Sequence, residues 1–276
     1  MSELLFGRFA TLFLGLPAST GRDVSGLRVS FEVTRSVDAT ANSALIRVYN
    51  LSKATRIITE ADGCQAILSV GYYGESTIGV SKGIFSGDIV RSTTEENGSD
   101  LITTLECGDK IRAMGKSTVS VAYKAGTPIN ALVIEAAKQL GVGVGEVQGI
   151  AGEQFLRGFS ATGKATDQLD IIAKRLNADW SIQDGILQII KKSDPNKESI
   201  VLLTSDTGLI GSPNKKTDDK GKTSISFKSL LQPEIRPARR VRVESRFIKG
   251  GDYKVTKVTH KGDTRSGDWF SEVEAE

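Results

Sequence analysis

The sequence predicts a mainly β protein that carries a small α+β insertion. Three observations predict it. Apolar and polar residues alternate with period two through the N-terminal part. Two stripes of helical period and a hairpin pattern then occupy 116–195. Alternating strands return over 196–276, interrupted by a polar, turn-rich stretch. The division drawn is therefore 1–115, 116–195 and 196–276.

The strands are read in order. Leu27, Val29, Phe31 and Val33 share one face of a strand, and Ala44, Ile46 and Val48 share one face of the next. Ser52 is a fitting N-cap for a short helix, because Ala54, Ile57, Ile58 and Ala61 fall on one stripe and Gly63 can end it. Strands follow at 66–72, 83–91 and 100–107, with a tight turn at Asn97-Gly98. This part reads as an antiparallel barrel or sandwich.

In the insertion, Thr127 is placed to cap a helix that Pro128 begins, with Ile129, Leu132, Val133, Ala136, Ala137 and Leu140 inward and Gly141 as the stop. A second helix starts at Thr166-Asp167. An Asp184-Gly185 turn then pairs Trp180 with Ile189 and Ile182 with Leu187. Residues 205–223 are rich in glycine, lysine and aspartate and are expected to form a mobile loop. Strands over 239–247, 253–260 and 269–273 close the chain.

Bulk properties narrow the function. A chain of 276 residues buries a core without cross-links, so Cys64 and Cys107 read as buried thiols in strands. The net charge of +3 argues against a dedicated nucleic-acid binder. No segment reaches the roughly 18 apolar residues of a membrane span. At the N-terminus, Glu3 and Arg8 argue against an export signal. The apolar run Leu4–Leu16 reads as a strand or a docking arm, and its deletion is expected to leave the subunit folded.

No catalytic constellation is legible, and no side chain is assigned a catalytic, cofactor-binding or metal-binding role. His260 is the single histidine, so neither a two-histidine metal site nor an HExxH motif exists. It sits in a strand with no nucleophile elbow and reads as structural. Glu95-Glu96 and Asp218-Asp219 fall in expected turns and read as solvated charge. Gly141, Gly143 and Gly145 follow a helix where a phosphate loop precedes one, and read as a helix stop and flexible link. Arg240 and Arg242 share a strand face without interleaved aromatics, which favours a salt-bridged protein face over nucleic acid.

Four ordered stretches carry a resemblance. They are Asn42–Ser52 with Gly71-Tyr72 and Ile84–Ile89; Tyr123–Ile129; Thr207–Pro213 with Ser229–Pro233; and Tyr253–Val255 with His260–Thr264 and Ser266–Trp269. In this order the chain resembles the baseplate hub proteins of contractile-tailed phages and related tail-like particles, over nearly its whole length. One departure is Ala238, where the family pattern has glycine after proline.

The resemblance implies two tube-protein-like antiparallel β-barrel domains flanking the insertion. It implies a homotrimeric ring that adapts a hexameric tail tube to a trimeric central spike, in the virion tail baseplate, assembled in the host cytoplasm. The implied partners are the central spike protein, the first tail-tube ring, inner baseplate proteins and the tape measure protein. DNA would meet the hub only in transit through the lumen, with no stable membrane association. The alternative is a peptidoglycan-binding, LysM-like module or hydrolase component, suggested by Gly126-Thr127-Pro128-Ile129 and the helix behind it. Such a repeat would close within about 45 to 50 residues.

Overall fold

The computed structural model describes residues 7–16, 21–37, 42–73, 80–109, 118–148, 152–154, 156–183, 186–191, 200–217, 223–246, 248, 250–265 and 267–276. The chain forms two compact units. The first comprises Met1–Arg35, Asn42–Gly108 and Glu198–Glu276, and the second Ser36–Ala41 and Asp109–Lys197.

In chain order the first unit opens with β1 (Arg8–Gly15), β2 (Arg22–Asp23), β3 (Val29–Ser36), β4 (Ser43–Tyr49), α1 (Lys53–Glu60), β5 (Gln65–Tyr72), β6 (Val80–Asn97) and β7 (Asp100–Gly108). The second unit holds β8 (Thr118–Tyr123), α2 (Ile129–Leu140), β9 (Gly143–Gln148), β10 (Phe159–Lys164), α3 (Ala165–Leu176), β11 (Ala178–Gln183) and β12 (Ile186–Lys191). The chain then returns to the first unit through β13 (Val201–Leu203), β14 (Leu209–Thr217), β15 (Thr223–Leu230), β16 (Arg240–Val243), β17 (Gly251–Asp263) and β18 (Trp269–Ala275).

A single sheet organises the first unit, in the order β14-β15-β18-β17-β3-β4-β7-β6-β5-β1-β2, with β13 and β16 branching from β17. The sheet is mainly antiparallel. Its path is open, with β14 and β2 at its ends, so no closed barrel is present among the described residues. Alternation explains which face is buried. Val29, Phe31 and Val33 of β3, Ala44, Ile46 and Val48 of β4, and Ala66, Leu68 and Val70 of β5 enter one core cluster. Ile225, Phe227, Val241, Val243, Val255 and Val258 build another. Cys107 lies in β7 and Cys64 just before β5, both as free, buried thiols.

The N-terminal run is a strand of this sheet rather than a docking arm over its described part. Arg8–Gly15 pairs with β5 along its whole length, and Leu12 and Leu14 are fully buried. Residues 1–6 of the expected arm lie outside the described residues. Ser52 caps α1 as expected, its hydroxyl accepting from the Thr55 amide at 3.3 Å. The expected stripe is not the buried face, however: the helix buries Thr55 and Thr59, leaves Ala54 and Ile57 exposed, and ends at Ala61 rather than Gly63. The β6–β7 turn comes one residue later than expected. Asn97 still pairs with Asp100, which leaves Gly98-Ser99 as the two-residue loop.

The expected loop over 205–223 is corrected. Ser205–Thr207 forms a 3-10 turn capped by Thr204, and Leu209–Thr217 is a strand paired with β15. An edge strand with water on both faces needs no apolar alternation: only Pro213 is buried in β14. Residues 218–222 lie outside the described residues.

The second unit repeats one pattern. In α2 the inward positions are Ile129, Leu132, Val133, Ala136, Ala137 and Leu140; in α3 the same positions hold Ala165, Gln168, Leu169, Ile172, Ala173 and Leu176. Both helices end left-handed, at Gly141 and Asn177. Pro128 is the N-cap rather than the first helical residue, and the Thr127 hydroxyl donates backwards to the Lys124 carbonyl at 2.7 Å. The hairpin register is as read, Trp180 opposite Ile189 and Ile182 opposite Leu187, with Asp184-Gly185 outside the described residues. Trp180 Nε1 donates to Asp170 at 2.8 Å, which satisfies the buried indole.

Gln168 breaks the repeat's apolar rule. It is 1% exposed, and neither amide atom has a hydrogen-bond partner among the described residues. A buried unsatisfied amide costs about 1–3 kcal/mol. Gln168→Leu should therefore raise the denaturation midpoint of the protein, by the equivalent of about 1–2 kcal/mol. Chemical denaturation of the two forms measures it.

Candidate interaction surfaces

The stretch His260–Thr264, quoted above for its resemblance, fastens the C-terminal strands to β3. A Cβ on Gly262 would collide with the Phe31 ring and stand 2.7 Å from Trp269 Cε3, so only glycine lets these rings meet edge to face. Arg28 forks onto Asp263, with Nη2 at 2.9 Å and Nε at 3.2 Å, and lies over the Tyr49 ring. Thr264 exchanges two bonds with the Val29 backbone, at 3.0 Å each. These contacts join residues far apart in sequence, which is why spacing alone did not reveal them.

His260 sits in β17 at 1% exposure, with Nδ1 2.8 Å from the hydroxyl of Ser271, itself 0% exposed. A serine beside a histidine is part of a hydrolase constellation, and the sequence reading did not single Ser271 out. The signal was the β17–β18 hairpin, whose register places Ser271 opposite His260. Both groups are sealed from substrate. Burial, reinforced by the charge of Arg35, pushes the imidazole down to about 3, too low for a base near neutrality. The unfolded chain takes up a proton at this site near pH 6.5 and the folded one only near 3. Between these values the unfolded state holds the extra proton, so stability should fall as pH falls, by about 1.4 kcal/mol per pH unit. His260→Gln should flatten that slope between pH 6 and pH 4, as followed by denaturation at each pH.

The other candidates disperse. Glu95 and Glu96 lie in β6, not in a turn, and both are exposed; Asp218-Asp219 lies outside the described residues. Gly143 and Gly145 belong to β9, which pairs in parallel with β12. The expected flexible link is therefore a strand. A Cβ on Gly145 would strike Ile186 Cγ2, which accounts for the glycine without a phosphate. Arg242 forks onto Asp252 at 2.6 and 3.0 Å, and the guanidinium holds that carboxyl below its usual range. The arginine is thus committed within the chain. Among the described residues no cluster could hold a metal ion, and no helix is long and apolar enough to cross a membrane.

Arg236–Arg239 forms a turn in which Arg239 N donates to the Arg236 carbonyl at 3.2 Å. Ala238 stands at its third position with φ +66°. That position favours glycine, and an L-residue there costs about 1 kcal/mol. Ala238→Gly should stabilise the protein by up to about 1 kcal/mol, visible as a higher denaturation midpoint at unchanged slope.

What remains is surface. The outward residues of the central strands form a ladder of opposite charges. Lys261 stands 3.4 Å from both Glu32 and Glu272, Lys257 lies 3.6 Å from Glu274, and Arg91 lies 3.8 Å from Glu106. At the β1 end the outward face turns apolar: Phe13 and Ile67, paired in register, are 43% and 46% exposed. A family model described as baseplate hub gp41 matches residues 18–275. The chain belongs to the baseplate hub gp41 family.

The resemblance read from the four sequence stretches is thus family membership, and this baseplate hub is a structural protein of a phage tail. No curated protein sequence matches it. Among solved structures, the hub is similar to the 43 kDa tail protein of prophage MuSo2 from Shewanella oneidensis, with TM-score 0.69 and 10% identity, covering 98% of both chains. It is equally similar to the tail protein from Neisseria meningitidis MC58, with TM-score 0.69 and 10% identity over 98% of the hub and 96% of that chain. The E. coli c3393 protein is a component of the type VI secretion system, described as structurally similar to the T4 tail proteins gp27 and gp5. It matches with TM-score 0.59 and 12% identity over 95% of the hub and 76% of that chain. At such identities the likeness is one of fold.

Proposed function

We propose that the chain is the hub subunit of a contractile tail and forms a three-subunit ring between the hexameric tail tube and the trimeric central spike. In this reading, residues 1–115 and 196–276 act as two tube-like lobes, so three chains present six lobes to the tube. The ring would also meet the tape measure protein and let DNA pass through its lumen. Assembly in the host cytoplasm fits the same reading.

The observation that carries it is the presence of two separate β-built cores in one chain, joined through β3 and β17. The family and the fold shared with phage tail proteins and a type VI secretion component support it. The LysM-like alternative lacks such support: the second helix ends only at Leu176 and its strand at Gln183, beyond the span such a repeat would occupy. Native mass measurement of the purified protein, with and without the neighbouring tail proteins, tests the ring. A mass of three copies is expected. Six copies at this level of the native particle would refute it.

A further inference from the structure

Two strand edges of opposite charge are left open on this chain. The first is β14, which ends the sheet and has β15 as its single strand neighbour among the described residues. It carries Lys215 and Lys216, both exposed and without an ion pair among the described residues. The second is the far half of β6. That strand pairs with β5 only from Val80 to Asp88, then with β7 alone as far as Asn97. Its bare side is covered at the start, where the Ser92 hydroxyl meets that of Thr59 at 2.9 Å. From Thr93 to Asn97 no strand adjoins that side among the described residues, and Glu95 and Glu96 are exposed there without an ion pair among the described residues.

We propose that these edges pair between copies: the acidic half of β6 in one subunit adds to β14 of the next. Neighbouring residues of a strand point to opposite faces. Lys215 and Lys216 therefore put one cation on each face of the sheet, and Glu95 and Glu96 put one carboxylate on each face. Adding one strand to the other creates a cross-strand ion pair on both faces at once. Within one chain the two edges are not paired with each other among the described residues, where β14 adjoins β15 alone. Each copy offers one edge of each kind, a head-to-tail arrangement that builds a ring when the rotation between copies closes and an open filament when it does not. Unpaired edges are otherwise an aggregation hazard, and their charges keep like edges apart. This contact rests on the ring reading above and assigns it a pair of surfaces.

The experiment is a charge swap on the full chain. Three variants are compared with the wild type by native mass and sedimentation across a concentration series. They are Lys215→Glu with Lys216→Glu, Glu95→Lys with Glu96→Lys, and all four changes together. All four side chains are exposed, and circular dichroism checks that each variant is folded. Each double variant should weaken assembly about tenfold or more, and the fourfold variant should recover most of it. Added salt should weaken the wild-type assembly as well. A double variant that assembles like the wild type, or a fourfold variant that recovers nothing, overturns the contact while leaving a wild-type ring standing. A wild-type chain that stays monomeric at the highest concentration overturns the ring and this contact with it.

Discussion

Gly262→Ala should destabilise the subunit by about 3 kcal/mol or more, enough to remove much of a typical domain's stability. The new methyl group would enter the contact between Phe31 and Trp269, rings that both belong to a buried cluster and have no free end to yield. Overpacking of a close-packed core forces backbone or rotamer shifts. Gly250→Ala is the control. There the nearest atom is Glu244 Cγ at 2.9 Å, on a flexible side chain that can swing aside. Its cost should stay below about 1 kcal/mol. Equal denaturation midpoints for the two variants would show that the rings do not set the cost.

Removing residues 1–16 should unfold the subunit rather than merely weaken its attachments. Ala10, Leu12 and Leu14 lie in the buried cluster, and the loss of β1 would strip β5 of its neighbour along eight residue pairs. Truncating one fully buried leucine to alanine already costs about 3–5 kcal/mol. Circular dichroism and proteolysis of the truncated chain decide the matter. A well-folded truncated subunit would return the segment to the role of a docking arm.

That reversal shows what the sequence hides. In β1 both faces carry large apolar residues: Ala10, Leu12 and Leu14 lie on the buried face, while Phe9 and Phe13 lie on the other, Phe13 exposed. No alternation marks such a strand, so an apolar arm was an equal reading. In β14 the failure has the opposite cause, since polar residues occupy both faces of an edge. Local signals fared better. The Ser52 cap, the Trp180–Ile189 register and the left-handed Gly141 each depend on a few adjacent residues. The contacts of Gly262, Asp263 and Thr264 were legible only as a family pattern. Their physical meaning depends on Phe31, Arg28 and Val29, more than two hundred positions away. As for a candidate site, the isolation of His260 was readable, but its buried partner Ser271 was not singled out.

The pairing of β3 with β17 also sets an order of events during synthesis. Arg28 and Asp263 are separated by 235 positions, so the first unit cannot close until nearly the whole chain has left the ribosome. The second unit draws almost all of its residues from one continuous stretch, Asp109–Lys197, and its contacts are far more local. Local contacts form first, because the entropy of closing a long loop must be overcome before distant strands can meet. The insertion is thus completed while β3 still waits for its partner. A chain cut short before β17 leaves β3 with one bare edge, since β4 is then its only strand neighbour among the described residues.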